Sequence, residues 1–211
     1  MRILQLNLHK RQESNMQVND WIGSDSGEMI ALCQEPAQFR GKITNINRKI
    51  TVIIGTDSSE EKPRTCILYK RKASFLKLAQ YCDRDQVAIK IKDDEGREII
   101  LASTYMPYIR DVAPPPAITK RLIEHCEMKG IGLIISTDCN SHNEMWGSTD
   151  DNFRGEALLD YIMTTNMQIG NIGNRPTFKN VAREEVIDIT LISTGIVDKV
   201  RNMDGQPCCR R

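Results

Sequence analysis

The chain has 211 residues, of which 40% are hydrophobic and 27% are charged, a composition typical of a folded globular protein. Its length suits one domain with a substantial core, with two small domains as the alternative. The formal net charge of +1 excludes a strong overall field that would attract nucleic acid. Binding to DNA or RNA would therefore need a local basic patch.

The cysteines and apolar runs indicate where the protein resides. There are 7 cysteines, an odd number, and none forms a Cys-x-x-Cys pair. Several lie inside apolar runs, which predicts free thiols in a reducing compartment and no zinc site. The first residues lack the long apolar stretch of a signal peptide, and no run approaches the roughly 18 apolar residues of a membrane span. We expect an intracellular protein, cytoplasmic or nuclear, that is not secreted and has no membrane partner.

Apolar and alternating patterns predict a series of strands along the chain. Leu4, Leu6 and Leu8 form one apolar face of an N-terminal strand. Further strands are predicted at 29–33, 49–55, 65–69, 87–92, 98–105, 131–137, 167–171, 177–178 and 186–193. The turn-forming residues 93–96 between two of these segments predict a hairpin.

Two helices are predicted in the second half. Residues 106–116 contain four prolines, which predicts a loop. Ile118, Leu122 and Cys126 then share one helical face, and Gly130 ends that helix. A second helix is predicted at about 155–165, where Asp151 or Asn152 could help to start it. Many strands with few helices predict an α+β or α/β sandwich.

The segment 132–140 carries the strongest chemical signal. An apolar run ends in Asp138, and Asn140 follows two residues later. A carboxylate at this position can take a proton from water, and an amide beside it can orient the reacting group.

Other polar residues also stand at the ends of apolar strands. Glu35 closes one run and precedes Pro36, which makes it either a solvated strand-end acid or a ligand for Mg²⁺, which prefers oxygen donors. Asn7 ends the first strand and is either a capping amide or a neighbour of Glu35.

Tyr105 and Asp188 each allow two interpretations. Tyr105 could simply pack at a strand end, or its phenol could stabilise charge that develops on a phosphate. Asp188 lies in an apolar strand, where a lone charge is costly to bury. We expect it to be paired with a cation, a catalytic histidine or a hydrogen-bond network.

His142 and Trp146 follow the proposed catalytic segment. His142 is either structural or a substrate contact near Asn140. Trp146 is either part of the core or a surface on which a nucleic-acid base stacks. Competing patterns are absent, since the sequence has no P-loop, GxGxxG, GxSxG or HExxH motif.

An ordered set of motifs resembles the endonuclease/exonuclease/phosphatase superfamily, which includes DNase I and the apurinic/apyrimidinic endonucleases. The set is Gln5-x-Asn7, Gln34-Glu35-Pro36, Thr104-Tyr105-x-Pro107, Asp138-x-Asn140, Pro176-Thr177-Phe178 and Ile187-Asp188. The segments from Asp138 to His142, Trp146 to Ser148 and Arg154 to Tyr161 are similar to the endonuclease domain of insect-type non-LTR retrotransposons. The resemblance runs from Arg2 to about Val200.

This resemblance implies a four-layered α/β sandwich, in which two mixed β-sheets pack face to face with helices outside. It implies hydrolysis of a phosphodiester in double-stranded DNA, dependent on Mg²⁺ or Mn²⁺. Glu35 would be the metal ligand, with Asn7 beside it. In a full-length element, a reverse transcriptase domain would be a partner, since it would extend the 3′-hydroxyl of the nicked strand.

The resemblance also implies a role for each of five further residues. Tyr105 would contact the scissile phosphate. Asp138 would activate or position the attacking water, and Asn140 would orient the phosphate. Thr177 matches a position near the phosphate, and Asp188 matches the acid that orients a catalytic histidine.

The chain departs from this family at its C-terminal end. Family members carry a Ser-Asp-His motif on a last strand, whereas no histidine follows Asp188 here. We expect a domain over residues 1–200 that is truncated at its last strand, followed by an irregular tail over 201–211. Two alternatives to a nuclease remain open, a degenerate non-catalytic DNA-binding copy and a phosphatase of the same superfamily.

Overall fold

The computed structural model describes residues 1–24, 27–56, 61–70, 74–109, 112–171, 175–179 and 184–200. Its strands are β1 (Arg2–Asn7), β2 (Met29–Gln34), β3 (Gln38–Phe39), β4 (Lys42–Ile43), β5 (Ile50–Ile54), β6 (Thr65–Lys70), β7 (Leu76–Lys77), β8 (Gln86–Lys92), β9 (Glu98–Tyr105), β10 (Gly132–Asp138), β11 (Met167–Ile169), β12 (Phe178–Lys179), β13 (Glu184–Glu185) and β14 (Asp188–Ser193). Its helices are α1 (Gln12–Ser24), α2 (Ala117–Lys129) and α3 (Phe153–Met163), with short 3-10 turns at Ala79–Tyr81, Glu144–Trp146 and Thr194–Lys199.

Two mixed sheets contain most of the strands. The first sheet has the order β1-β2-β6-β5, and the second has the order β11-β14-β10-β9-β8-β7. The pairs β1–β2 and β9–β10 are parallel, and the other neighbours in these sheets are antiparallel. Strands β3–β4 and β12–β13 form separate two-stranded ribbons.

The apolar side chains divide the fold into four layers. Ile30, Leu32 and Ile67 of the first sheet pack between the sheets against residues such as Ile89 and Leu101 of the second. A second cluster packs α1 on the outer face of the first sheet, and a third packs α2 and α3 on the outer face of the second sheet. This arrangement confirms the expected four-layered sandwich.

The helix ends follow local capping chemistry. Gly130 ends α2 in the left-handed conformation, with φ of 64°, as its position predicts. Helix α3 begins at Phe153, earlier than expected, because the Asn152 side chain accepts a hydrogen bond from the Gly155 amide at 2.8 Å. A Cβ atom on Gly155 would lie 1.7 Å from the carbonyl oxygen of His142, so this contact requires glycine.

The sequence patterns identified the main strands but missed α1 and the β3–β4 ribbon. The buried residues of α1 include Ser14 and Asn15 as well as Val18 and Ile22, which weakens its apolar periodicity. Asn15 is buried because its amide donates to the carbonyl oxygens of Ala37 and Thr44, at 2.9 and 2.8 Å. The expected tail at 201–211 lies outside the described residues. Within the described ranges, no helix is long and apolar enough to cross a membrane.

Candidate active site

The interface between the two sheets changes from apolar to polar towards one end. Inward-facing side chains follow this change along β1, β2, β9, β10 and β14, in the series Ile3, Gln5, Asn7; Leu32, Gln34; Leu101, Ser103, Tyr105; Ile134, Ser136, Asp138; and Ile192, Thr190, Asp188. Side chains alternate between the two faces of a strand, so each series lies on a single face. The polar ends meet, and this end of the sandwich is the candidate active site.

Strand register brings three predicted residues into one row. Asp138 of β10 pairs with Tyr105 of β9 on one side and with Asp188 of β14 on the other. From the opposite sheet, Asn7 pairs with Gln34, and Glu35 follows directly after β2. Glu35 and Asp138 stand at strand ends in opposite sheets, and the sheets bring them to the same end of the fold.

Asp138 is the centre of the hydrogen-bond network at this end. Its Oδ2 accepts a hydrogen bond from Asn7 Nδ2 at 2.9 Å, a contact that crosses between the sheets. Its Oδ1 accepts from the backbone amide of Asn140 at 3.2 Å. The Asn7 Oδ1 atom accepts from the His9 amide at 3.0 Å. Asp138 is 3% exposed, so its orientation is well fixed.

Asp188 is buried beside Asp138 and carries an unsatisfied oxygen. Burial raises the pKa of Asp188 to about 7, although hydrogen bonds from Thr177 and Asn7 act in the opposite direction. Thr177 Oγ1 also accepts from the Asp188 amide at 3.0 Å, which places Thr177 at the same end of the sandwich. Among the described residues, the Asp188 Oδ1 atom has no hydrogen-bond partner.

The electrostatics at this end favour a cation. Burial raises the pKa of Asp138 well above its usual range, and the nearby carboxylates of Asp188 and Glu35 raise it further. Glu35 also forms an ion pair with Lys10, with 2.7 Å between Lys10 Nζ and Glu35 Oε1. Carboxylate oxygens are hard donors of the kind that Mg²⁺ and Mn²⁺ prefer.

Tyr105 lies against a cationic side chain. The guanidinium of Arg64 lies 4.7 Å from its ring centroid, and Arg64 itself is paired with Asp85. Burial, with the charges of Asp138 and Glu35, raises the pKa of Tyr105, so its phenol remains a hydrogen-bond donor at neutral pH.

Two residues of the site have unusual backbone conformations. Glu35 has φ of 48° and Asn140 has φ of 46°, in the left-handed region that non-glycine residues seldom adopt. Such conformations cost energy and cluster at functional sites, because the surrounding structure has to hold them in place. At Asn140 the restraint includes a hydrogen bond from its Nδ2 to the Met106 carbonyl at 3.1 Å.

Arg154 is a contributor that reasoning from the sequence did not single out. Its guanidinium is buried beneath the 139–140 loop and donates to the carbonyl oxygens of Asn140 and Val112, at 3.1 and 2.8 Å. It therefore ties the loop that follows Asp138 to the loop that follows Tyr105. The available signal was the Arg154-Gly155 pair at the start of a helix, in the segment that carries the family resemblance.

The two expected substrate contacts lie in different surroundings. Trp146 is 1% exposed and belongs to the apolar core around α3, so stacking of Trp146 on a base does not agree with this structure. His142 Nδ1 lies 2.7 Å from Asp150 Oδ1, and Glu185 completes a cluster with ligand atoms within 4.8 Å. Thr149 donates to both Glu185 oxygens, so hydrogen bonds within the protein already account for this cluster.

Known structures share the fold of this chain, whereas a search of curated proteins found no match. The endonuclease domain of TRAS1, a telomere-specific non-LTR retrotransposon, has a TM-score of 0.76 and 24% identity, over 93% of this chain and 86% of that one. The Xenopus laevis APE2 catalytic domain has a TM-score of 0.60 and 13% identity, over 93% and 83%. The human Nocturnin catalytic domain has a TM-score of 0.57 and 12% identity, over 91% and 81%. At these identities the likeness confirms the predicted fold class.

The sequence itself identifies the family. A family model described as endonuclease-reverse transcriptase matches residues 99–209. The matched segment spans β9, β10, α3 and β14, and so includes Tyr105, Asp138, Asn140 and Asp188. Because the match covers more than half of the 211 residues, this chain belongs to the endonuclease-reverse transcriptase family.

Proposed function

We propose that this chain is a metal-dependent DNA endonuclease domain of the non-LTR retrotransposon type, which hydrolyses a phosphodiester bond to nick double-stranded DNA. The observation that carries the proposal is the convergence of Asn7, Glu35, Tyr105, Asp138 and Asp188 at one polar end of the inter-sheet interface. Family membership supports the same reaction class.

In this proposal Asp138 acts on the attacking water. Both of its oxygens are already oriented, by Asn7 and by the Asn140 amide, so the carboxylate is fixed before the substrate arrives. Its raised pKa makes it a better proton acceptor than an exposed aspartate once it is ionised. Water attacks phosphorus, its proton passes to Asp138, and the bond to the 3′-oxygen breaks. The departing 3′-oxygen takes a proton from solvent, which leaves a 3′-hydroxyl and a 5′-phosphate.

Glu35 and Asn7 are the proposed ligands of Mg²⁺ or Mn²⁺. The Glu35 carboxylate lies near the Asp138 carboxylate of the second sheet, and Asn7 contacts the same carboxylate through its Nδ2 atom. When bound, the cation would polarise a phosphate oxygen and offset negative charge. In the present structure the Lys10 ammonium offsets the negative charge of Glu35, and a bound metal cation would displace it.

Tyr105 and Asn140 are the proposed phosphate contacts. The Tyr105 phenol stays protonated and can donate to a non-bridging oxygen, where charge develops in the transition state. The Asn140 side chain donates to the Met106 carbonyl, so it links the loop that follows Asp138 to the loop that follows Tyr105. Thr177 lies against Asp188 at the opposite border, and His142 follows on the same loop as Asn140.

Asp188 favours a second candidate, a DNA-binding domain without catalytic activity. Its Oδ1 atom lacks a partner among the described residues, at the position where relatives orient a histidine. No histidine follows Asp188 in the sequence. A domain of this kind would bind duplex DNA and leave its strands intact. Among the described residues, no contact favours the phosphatase alternative.

The test combines nicking with binding. Supercoiled plasmid is incubated with excess protein and Mg²⁺, while binding to a labelled duplex is followed by fluorescence anisotropy. We expect slow nicking that Asp138→Ala and Glu35→Gln abolish, with duplex binding retained. Asp160→Asn, on the exposed face of α3, is the matched acidic control and should nick like the parent.

The outcomes separate the candidates. Binding without any Mg²⁺-dependent nicking would support the non-catalytic domain. Release of inorganic phosphate from a phosphomonoester, without nicking, would support the phosphatase. Neither binding nor hydrolysis would overturn the proposed function.

A further inference from the structure

Directly below the candidate site lies a polar layer that joins the two sheets. Gln34 of β2, Ser103 of β9 and Ser136 of β10 face one another and are at most 1% exposed. Gln34 Nε2 donates to Ser103 Oγ at 3.0 Å and lies 3.1 Å from both the carbonyl oxygen and the Oγ of Ser136. In return, Ser103 Oγ donates to the Cys33 carbonyl at 2.9 Å.

Each member of this layer lies close in sequence to a candidate site residue. Gln34 precedes Glu35 directly, in the first sheet. Ser136 and Asp138 are two residues apart on the same face of β10, and Ser103 and Tyr105 are related in the same way on β9. The layer therefore sets how the strand that ends at Glu35 stands against the strands that end at Asp138 and Tyr105.

Burial of Gln34 does not serve stability well. Its Oε1 atom is buried and has no hydrogen-bond partner among the described residues, and an unsatisfied acceptor costs about 1–3 kcal/mol. One pleat deeper on the same strand face, Leu32 fills the interface with an apolar side chain. An apolar residue could fill the Gln34 position too, so the amide has a role beyond filling space.

We propose that Gln34 is a positioning residue that fixes the register between the two sheets, so that Glu35 stays opposed to Asp138. This inference rests on the proposed function and deepens it, because it assigns the geometry of the metal and water positions to a side chain that touches neither. The directional hydrogen bonds of the amide resist sliding of the sheets, which apolar contacts alone permit.

The main test replaces Gln34 by an apolar residue of similar length. Gln34→Met keeps the volume and removes the amide, and Leu32→Met is the matched control on the same strand face. We expect Gln34→Met to retain or raise the unfolding temperature, to weaken Mn²⁺ binding about tenfold, and to slow single-turnover nicking by about 10²-fold. The KM of Gln34→Met for DNA should stay within about twofold of the parent value. Leu32→Met should change neither the Mn²⁺ affinity nor the nicking rate.

Two further variants identify the partners. Ser103→Ala removes the hydroxyl that receives the Gln34 amide, and Ser103→Thr keeps a hydroxyl there. The alanine variant should weaken Mn²⁺ binding, and the threonine variant should restore it. The double variant with Ser103→Ala and Gln34→Met should lose less Mn²⁺ affinity than the sum of the losses in the two single variants, because the two residues act through one contact.

A readout that needs neither metal nor catalysis separates this inference from the proposed function. The side-chain amide resonances of Asn7 report its hydrogen bond to Asp138, which crosses the same interface. These resonances should shift and lose exchange protection in Gln34→Met but not in Leu32→Met. Unchanged resonances and unchanged Mn²⁺ affinity in Gln34→Met would overturn the inference. A parent chain without Mn²⁺ binding would overturn the proposed function and leave the Asn7 resonances to decide the role of Gln34.

Discussion

Asp138 and Asp188 stand opposite each other in neighbouring strands, and burial raises the pKa of both. The charge of Asp188 makes Asp138 harder to ionise, so the two carboxyl groups do not titrate independently. A divalent ion therefore competes with protons for the same oxygens. The metal affinity of the site should rise with pH for this reason.

The raised pKa of Asp188 leads to a prediction about stability. A folded-state pKa of about 7, above the usual 3.8, means that the folded protein binds this proton more tightly than the unfolded chain. The contribution of this proton to the free energy of unfolding is fully present below the usual pKa of an aspartate. It is lost as the pH rises towards 7. Asp188→Asn mimics the protonated form, so it should match the parent near pH 4 and be more stable at pH 8. Each pKa unit corresponds to about 1.4 kcal/mol.

Urea unfolding from pH 4 to 8, with EDTA and a thiol reductant, measures this difference. Asp160→Asn is the control, since an exposed carboxylate should give a difference that is independent of pH. A constant offset between Asp188→Asn and the parent across the whole range would contradict the prediction.

At the level of the element, the start of α3 shows how a helix can be fixed by a close backbone approach. Asn152 caps the helix, and Gly155 brings its first turn against the His142 carbonyl. Arg154, between them, reaches under the 139–140 loop. The first turn of α3 therefore supports the loop that carries Asn140.

Gly155→Ala should be strongly destabilising, because the added Cβ would lie 1.7 Å from a backbone oxygen that cannot move independently. We expect a loss of about 3 kcal/mol in the free energy of unfolding, measured by urea denaturation. Gly23→Ala in α1 is the matched control, since nothing lies within 4 Å of its added Cβ. That variant should be neutral or slightly stabilising. Equal effects of the two substitutions would show that the close approach is not a constraint.

The elements were predictable to the extent that their apolar pattern was strong. Strands β8, β9 and β10 carry alternating or continuous apolar runs, and Gly130 marks the end of α2. Helix α1 was not predicted because Asn15 is buried through hydrogen bonds to β3 and β4 neighbours far along the chain. A single-sequence pattern contains no information on such partners.

For the molecule as a whole, the candidate site is assembled from both sheets. The sequence could indicate which residues belong to the site but not which of them contact one another. The order of Asn7, Glu35, Tyr105, Asp138 and Asp188 at strand ends was readable, and their assigned roles remain predictions. The hydrogen bond between Asn7 and Asp138 spans 131 positions, and no local pattern specifies it. Arg154 and Trp146 were harder to interpret, because only the packing of α3 buries them.

The missing histidine leads to a prediction for the whole chain. The 211-residue chain should nick supercoiled plasmid slowly or not at all with Mg²⁺, because no imidazole stands opposite Asp188 among the described residues. Loss of one such transition-state contact costs on the order of 10²- to 10³-fold in rate. Extending the chain with a strand that carries Ser-Asp-His should restore cleavage in a plasmid-nicking time course.

An extension with Ser-Asp-Ala controls for the added length and for any pairing of the added strand with the sheet. Robust nicking by the unextended chain, abolished by Asp138→Ala, would show that the histidine is dispensable and contradict the prediction.

The hydrogen bonds between the sheets also determine when the candidate site can form during synthesis of the chain. Gln5 donates to the Ile189 carbonyl across 184 positions, and Asn7 reaches Asp138 across most of the same distance. A ribosome releases β1 and β2 long before β14, so the emerging N-terminal half holds Glu35 without the acids that face it. If the chain has the proposed nuclease function, it can acquire that activity only after β14 has been synthesised and has joined β10, because the candidate site needs residues of both sheets.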